Sequence, residues 1–226
     1  MRIEPLGDSA LLVRVVEDFE TDKSLDAVLR AAQQLELATI PGVIELAPAY
    51  TTIGIFFDPA RIGAVDEFRT RIEQAFEGGS RWMRSPSSAS LEVPVCYEAE
   101  FAPDLDEVAR HTGLAPDEIV RRHAAANYRV SCVGFTPGFP YLSGLPPELA
   151  TPRRASPRKE IPAGAVAIGG TQTGIYPRKS PGGWNIIGRT PLRLFEVARN
   201  PPALFHAGDR VQFRKISREE FESFAA

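Results

Sequence analysis

The stretch on which the fold turns is Gly134-Phe135-Thr136-Pro137-Gly138-Phe139-Pro140-Tyr141-Leu142-Ser143-Gly144-Leu145-Pro146. Its glycines permit backbone angles closed to other residues and its prolines fix φ, so it reads as a rigid scaffold that displays aromatic rings. From Tyr128 onward no helical period survives, and short Val/Ile runs alternate with Gly and Pro. Residues 134–191 hold 10 Gly and 10 Pro, more than half of the 18 Gly and 20 Pro in the chain, with aromatics, Arg, Asn and Gln interleaved and no repeat. That pattern predicts a β-barrel or compact β-rich domain dominated by long loops.

Working outward, residues 91–97 read as a strand that opens this half, and 105–111 and 116–126 read as two short helices. Upstream, the small and polar residues 78–90 read as an exposed connector. Before it, 10–16, 43–46 and 52–57 read as strands. Leu25, Val28, Leu29, Ala32 and Leu35, behind the capping candidates Thr21 and Asp22, mark one helix, and Val65, Phe68, Ile72 and Phe76 mark a second. The expected class is α+β: a small α+β sandwich domain with its linker at 1–89, then a β-barrel domain at 90–226.

At 226 residues, 43% hydrophobic and 24% charged, the chain can bury a core and is neither disordered nor fibrous. Apolar runs such as 52–57 and 163–168 fall far short of the roughly 20 residues of a membrane helix. The start MRIEPLGDSA lacks the apolar stretch of a signal peptide, so a cytoplasmic location with no membrane association is expected. Cys96 and Cys132 have no CxxC spacing, and His111, His123 and His206 form no close pair, which disfavours a metal site.

A net charge of -3 argues against nucleic acid as a partner. Residues 105–123 do follow helix-turn-helix grammar, yet Asp104, Asp106, Glu107, Asp117 and Glu118 would face a phosphate backbone. The charge is uneven: residues 1–89 carry 9 Lys/Arg against 14 Asp/Glu, and 90–226 carry 17 against 15. Between Arg153 and Arg189 there are seven basic residues and one acidic residue, Glu160. Arginine forks on rigid loops suit carboxylate or phosphate, so a small anionic ligand is expected there. Residues 169–177 could offer a nest of amides but contain no P-loop, and 180–189 add the Trp184 face, the Asn185 amide and Arg189. His123 is a candidate for proton transfer, against a purely packing role.

At these residues the chain resembles the allophanate hydrolase subunit 1 group, which includes the B subunit of 5-oxoprolinase and the kinase inhibitor KipI. The motifs are GFTPGFPYLSGLP (134–146), PRRASPR (152–158), IPAGAVAIGGTQTGIYP (161–177) and SPGGWNIIGRTPLRLF (180–195), then Phe205, Gly208, Asp209 and Val211. GDSALLV (7–13) and GVIELAPAYTTIGIFFDP (42–59) extend the likeness over nearly the whole chain. The resemblance implies that the second domain is a cyclophilin-like β-barrel. It also implies a role in an ATP-dependent 5-oxoprolinase, whose A subunit, together with a homologous C subunit, would be its partners, the chain being inactive alone. ATP with Mg would be held by the complex. On that reading Arg153, Arg158 and Arg189 hold carboxylate or phosphoryl oxygens, and Gln172, Thr173, Tyr176, Ser180, Trp184 and Asn185 orient the ring. His123 or Lys159 moves a proton. A KipI-like kinase inhibitor and a subunit related to urea carboxylase or allophanate hydrolase stay open as alternatives, as does self-association.

Overall fold

The structure is a computed structural model that describes residues 1–18, 21–77 and 90–224, and it divides into two compact units, 1–86 and 87–226. Most of the connector read at 78–90 lies outside the described residues.

The first unit runs β1 (Arg2–Pro5), β2 (Ala10–Arg14), α1 (Thr21–Ala38), β3 (Val43–Ala49), β4 (Thr52–Phe57) and α2 (Val65–Glu77). Its strands form one antiparallel sheet in the order β1-β2-β4-β3. Alternate residues Leu11 and Val13 on β2 and Ile53, Ile55 and Phe57 on β4 join a single core, as the two-residue period of a strand requires. Val28, Ala32 and Leu35 of α1 and Phe68 and Ile72 of α2 reach the same core at three- and four-residue spacing.

The second unit begins with β5 (Ser90–Cys96), α3 (Leu105–Thr112) and α4 (Pro116–Ala125). Gly113, at φ 73°, ends α3 by donating its N–H to the Ala109 carbonyl, and Pro116 opens α4 where no N–H is needed. Then follow β6 (Asn127–Val133), β7 (Pro140–Ser143), β8 (Arg158–Ile161), β9 (Ala165–Gly169), β10 (Gln172–Ile175), β11 (Ser180–Gly182), β12 (Asn185–Arg189), β13 (Arg210–Ile216) and α5 (Arg218–Ser223). Seven strands close into a barrel in the order β10-β7-β6-β13-β5-β12-β9, and β8 pairs with β11 as a separate two-stranded sheet. Short strands break up the loop-rich stretch expected across 134–191, and one long connection remains in it, residues 144–157 between β7 and β8, which holds a single 3-10 turn at Pro147–Leu149. No described helix is long and apolar enough to cross a membrane.

All seven barrel strands feed one core that includes Val93, Val130, Leu142, Val166, Ile175, Ile187 and Phe213, with Val108 of α3 and Ile119 and Val120 of α4 packed into it. On the other face of β9, Ala165 and Ala167 belong to a second cluster with Phe139, Ile161, Tyr176, Trp184 and Ile186. Glycine lets these rings lie directly on the strands. A Cβ at Gly169 would stand 2.5 Å from the Trp184 ring, and one at Gly174 would stand 2.9 Å from that of Phe139.

Candidate functional site

The basic residues of the second unit are organised by an acid from outside their own segment. Asp104, 2% exposed, immediately precedes α3, yet its carboxylate does not cap that helix. Arg154 Nη1 donates to its Oδ1 at 2.6 Å, and Arg158 donates from Nη1 to Oδ2 at 2.7 Å and from Nη2 to Oδ1 at 2.8 Å. The Ile186 N–H adds a fourth bond to Oδ2 at 2.8 Å, and the Asp104 N–H returns one to the Ile186 carbonyl at 3.0 Å. A buried carboxylate is tolerated only when so paired. The clamp ties the loop 152–158 to the start of β12.

Two clefts lie on either side of it. The larger, about 390 Å³, is lined by Glu107, His111, Thr151, Pro152, Arg153, Arg154, Ala155, Ser156 and Asn185. The smaller, about 240 Å³, is lined by Glu100, Phe101, Pro103, Arg158, Glu160, Pro162, Ala165, Ile186 and Arg189. Neighbours in sequence therefore face different clefts: Asn185 and Ile186 on β12 are divided, and the two arginines bound to Asp104 are too.

Each cleft holds one arginine that, among the described residues, has no carboxylate partner. In the larger cleft Arg153 lays its guanidinium over Trp184, 5.7 Å from the ring centroid. In the smaller, Arg189 donates Nε to the Ala163 carbonyl at 2.8 Å and sits 5.9 Å from the Phe221 ring centroid. Aromatic backing holds a planar cation in place while leaving its in-plane donors available.

The remaining expected residues are dispersed. Arg158, expected to grip a substrate oxyanion, commits both Nη atoms to Asp104. Asn185, expected to orient a ring, donates Nδ2 to the carbonyls of Pro152 at 2.8 Å and Ile168 at 3.3 Å, and so fastens the loop that carries Arg153. Tyr176 and Trp184 are buried in the aromatic layer. Burial raises the pKa of the Tyr176 hydroxyl, partly offset by a hydrogen bond with the Trp184 backbone. Lys159 is exposed on β8, Gln172 is half-buried at the start of β10, and the Ser180 Oγ is buried with no hydrogen-bond partner among the described residues.

His123 and Thr173 are fully buried and line neither cleft. Thr173 Oγ1 donates to the Ala167 carbonyl at 3.0 Å, so it must accept at 3.0 Å from His123 Nε2. His123 Nδ1 is then the acceptor for the Tyr97 hydroxyl at 2.9 Å. The ring stacks on Phe213 with centroids 4.6 Å apart. Desolvation pushes its pKa down from 6.5 to about 3, which fixes a neutral imidazole. The expected single pocket is therefore two clefts and a sealed polar network.

Sequence reasoning passed over Asp104, Arg154, His111 and Ser156. Asp104 counted only as one of several surface acids, and nothing local ties it to arginines 50 and 54 positions away.

Residues 1–205 match the family described as carboxyltransferase domain, subdomain C and D. The chain is 40% identical over 240 residues to the 5-oxoprolinase B subunit of Bacillus subtilis (strain 168), covering 99% of this chain and 96% of that one. It is also 40% identical over 213 residues to the 5-oxoprolinase B subunit of Escherichia coli O157:H7, covering 92% and 93%. The crystal structure of TTHA0988 superposes with a TM-score of 0.79 at 35% identity over 92% of this chain, which spans 40% of the TTHA0988 chain. Matched along most of its length by both the family pattern and these relatives, the chain belongs to the carboxyltransferase subdomain C and D family that also takes in the B subunits of 5-oxoprolinase.

Proposed function

We propose that this chain is the B subunit of an ATP-dependent 5-oxoprolinase, which converts 5-oxoproline, ATP and water to glutamate, ADP and phosphate in complex with its A subunit, together with a homologous C subunit. The observation that carries this reading is the 40% identity to two proteins of that name over at least 92% of the chain. The closed seven-stranded barrel supports a cyclophilin-like description of the second unit. Prolyl isomerase activity does not follow from a shared fold.

Lactam opening is uphill, and ATP supplies the phosphoryl group that turns the lactam oxygen into a leaving group. What this chain brings is positive charge on fixed supports. Arg153 and Arg189, each backed by a ring, fit one oxyanion apiece. The nucleotide with its Mg is assigned to the complex of the three subunits. Proton transfer by His123 has no support in the geometry, because its ring is sealed and uncharged.

The test is reconstitution. The full chain, mixed with the A and C subunits of the same organism, ATP and 5-oxoproline, should yield glutamate only when all three proteins are present. No glutamate in any combination, or an equal rate without this chain, would overturn the reading.

A further inference from the structure

We propose that the larger cleft, between α3 and the loop 151–156, is a recognition site for a small oxyanion, with Arg153 as the binding cation and Asp104 as the residue that positions it. The ligand class is a carboxylate or phosphoryl group. Taking it to be the carboxylate of 5-oxoproline rests on the function proposed above.

The charge around the clamp is unbalanced. Asp104 carries one negative charge and accepts from two guanidinium groups, so the cluster keeps a surplus positive charge before Arg153 is counted. Arg154 uses Nη1 on Asp104, while its Nε is buried with no hydrogen-bond partner among the described residues. That N–H is sealed from the cleft, so it adds to the positive charge behind the cleft wall and offers no donor to a ligand itself. Glu107, the one carboxylate on the wall, is already paired with Arg110. His111 and Ser156 contribute exposed side chains that can donate to a bound oxygen.

The cleft is also held rigidly. Arg154 N–H donates to the Gly183 carbonyl at 2.7 Å, Asn185 holds the Pro152 carbonyl, and Asp104 holds the two arginines that bracket Ala155 to Pro157. Arg153 lies between these anchors, and its guanidinium rests on a Trp184 ring that is only 5% exposed. Binding then requires little ordering of the side chain, which is the usual cost of gripping an anion with arginine. About 390 Å³ admits a five-membered lactam bearing a carboxylate, or a phosphate with its waters.

The experiment titrates the full chain, by calorimetry and by Trp184 fluorescence in a Trp82→Phe background, with three probes: 5-oxoproline, its carboxylate-free analogue 2-pyrrolidinone, and inorganic phosphate. At least one anion should bind and 2-pyrrolidinone should not. Arg153→Gln should weaken that binding by about tenfold or more, the scale of a lost charge-assisted hydrogen bond. Arg153→Lys should recover part of the affinity and none of the fluorescence change, because the planar stack is gone. Lys215→Ala, at an exposed position on β13, serves as the control for lost surface charge.

Binding of 5-oxoproline alone identifies a carboxylate site, and binding of phosphate identifies a phosphoryl site. Either outcome supports the proposal. If neither anion binds the chain, alone or with the A and C subunits present, or if Arg153→Gln binds as tightly as the parent, the proposal is overturned. Anion binding that depends on Arg153, combined with failed reconstitution, would leave this site standing and remove the oxoprolinase reading.

Discussion

Replacing His123 with glutamine should flatten the acid side of the stability curve of the barrel unit. In the folded protein the imidazole is sealed between Tyr97, Thr173 and Phe213 and has a pKa of about 3, whereas an unfolded chain gives it 6.5. Below pH 6.5 the unfolded chain therefore takes up a proton that the folded chain refuses. Stability is fully present above 6.5 and declines as the pH falls toward 3. Each pH unit within that window is worth up to about 1.36 kcal/mol. The penalty is roughly 0.2 kcal/mol at pH 7 and about 2 kcal/mol at pH 5.

Glutamine offers an NH2 group with two N–H donors and one carbonyl, so it can replace both the bond to Thr173 and the bond from Tyr97 without titrating, leaving its second N–H in the buried site. It loses the stacking on Phe213 and lowers stability at pH 7 by about 1 kcal/mol. Denaturant unfolding followed by Trp184 fluorescence, in a Trp82→Phe background at pH 7, 6 and 5, separates the two effects. The parent should lose about 2 kcal/mol more than His123→Gln between pH 7 and pH 5. Equal losses in the two proteins would refute the reasoning and mean that His123 titrates as an accessible histidine does.

Other consequences are open to measurement. Asp104→Ala removes the acceptor for two guanidinium groups and a backbone N–H, and should cost about 3 kcal/mol in denaturant unfolding. That lower end of the range applies because Arg154 and Arg158 are 32% and 27% exposed and can regain water. Gly169→Ala places a methyl group against the Trp184 ring and should destabilise the barrel by about 1–3 kcal/mol, with a red shift in Trp184 emission. Cys96 is fully buried and burial raises its thiol pKa, so in a Cys132→Ser background it should react with a thiol reagent only on the timescale of unfolding. Reaction as fast as that of a free thiol would contradict that placement.

Much of the architecture was legible because burial imposes a period. Val28, Ala32 and Leu35 announce a helix, and Ile53, Ile55 and Phe57 announce a strand, since each set must meet one core. The period fails where burial is not its cause. β8 reads Arg-Lys-Glu-Ile and β11 reads Ser-Pro-Gly, and they pair with each other outside the barrel, so neither carries an alternating apolar pattern. Gly and Pro misled in another way. At 169 and 174 glycine marks strands on which an aromatic ring lies, which looks like a turn signal in the sequence alone.

The site was legible as charge and illegible as partnership. Pro152-Arg153-Arg154 shows two adjacent cations, and counting cannot separate them. The non-helical backbone sends neighbouring side chains in different directions: Arg154 turns to the buried Asp104, and Arg153 turns to the Trp184 face. One arginine thereby becomes part of the scaffold, and the other stays available because its neighbour is fixed. Arg158, four positions after Arg154, completes the same division by taking the remaining side of Asp104. A basic segment of this kind must spend some of its arginines on internal acids before any can be held still enough to recognise a ligand. The number left over, one in each cleft, is set by tertiary pairing across about fifty residues and not by local composition.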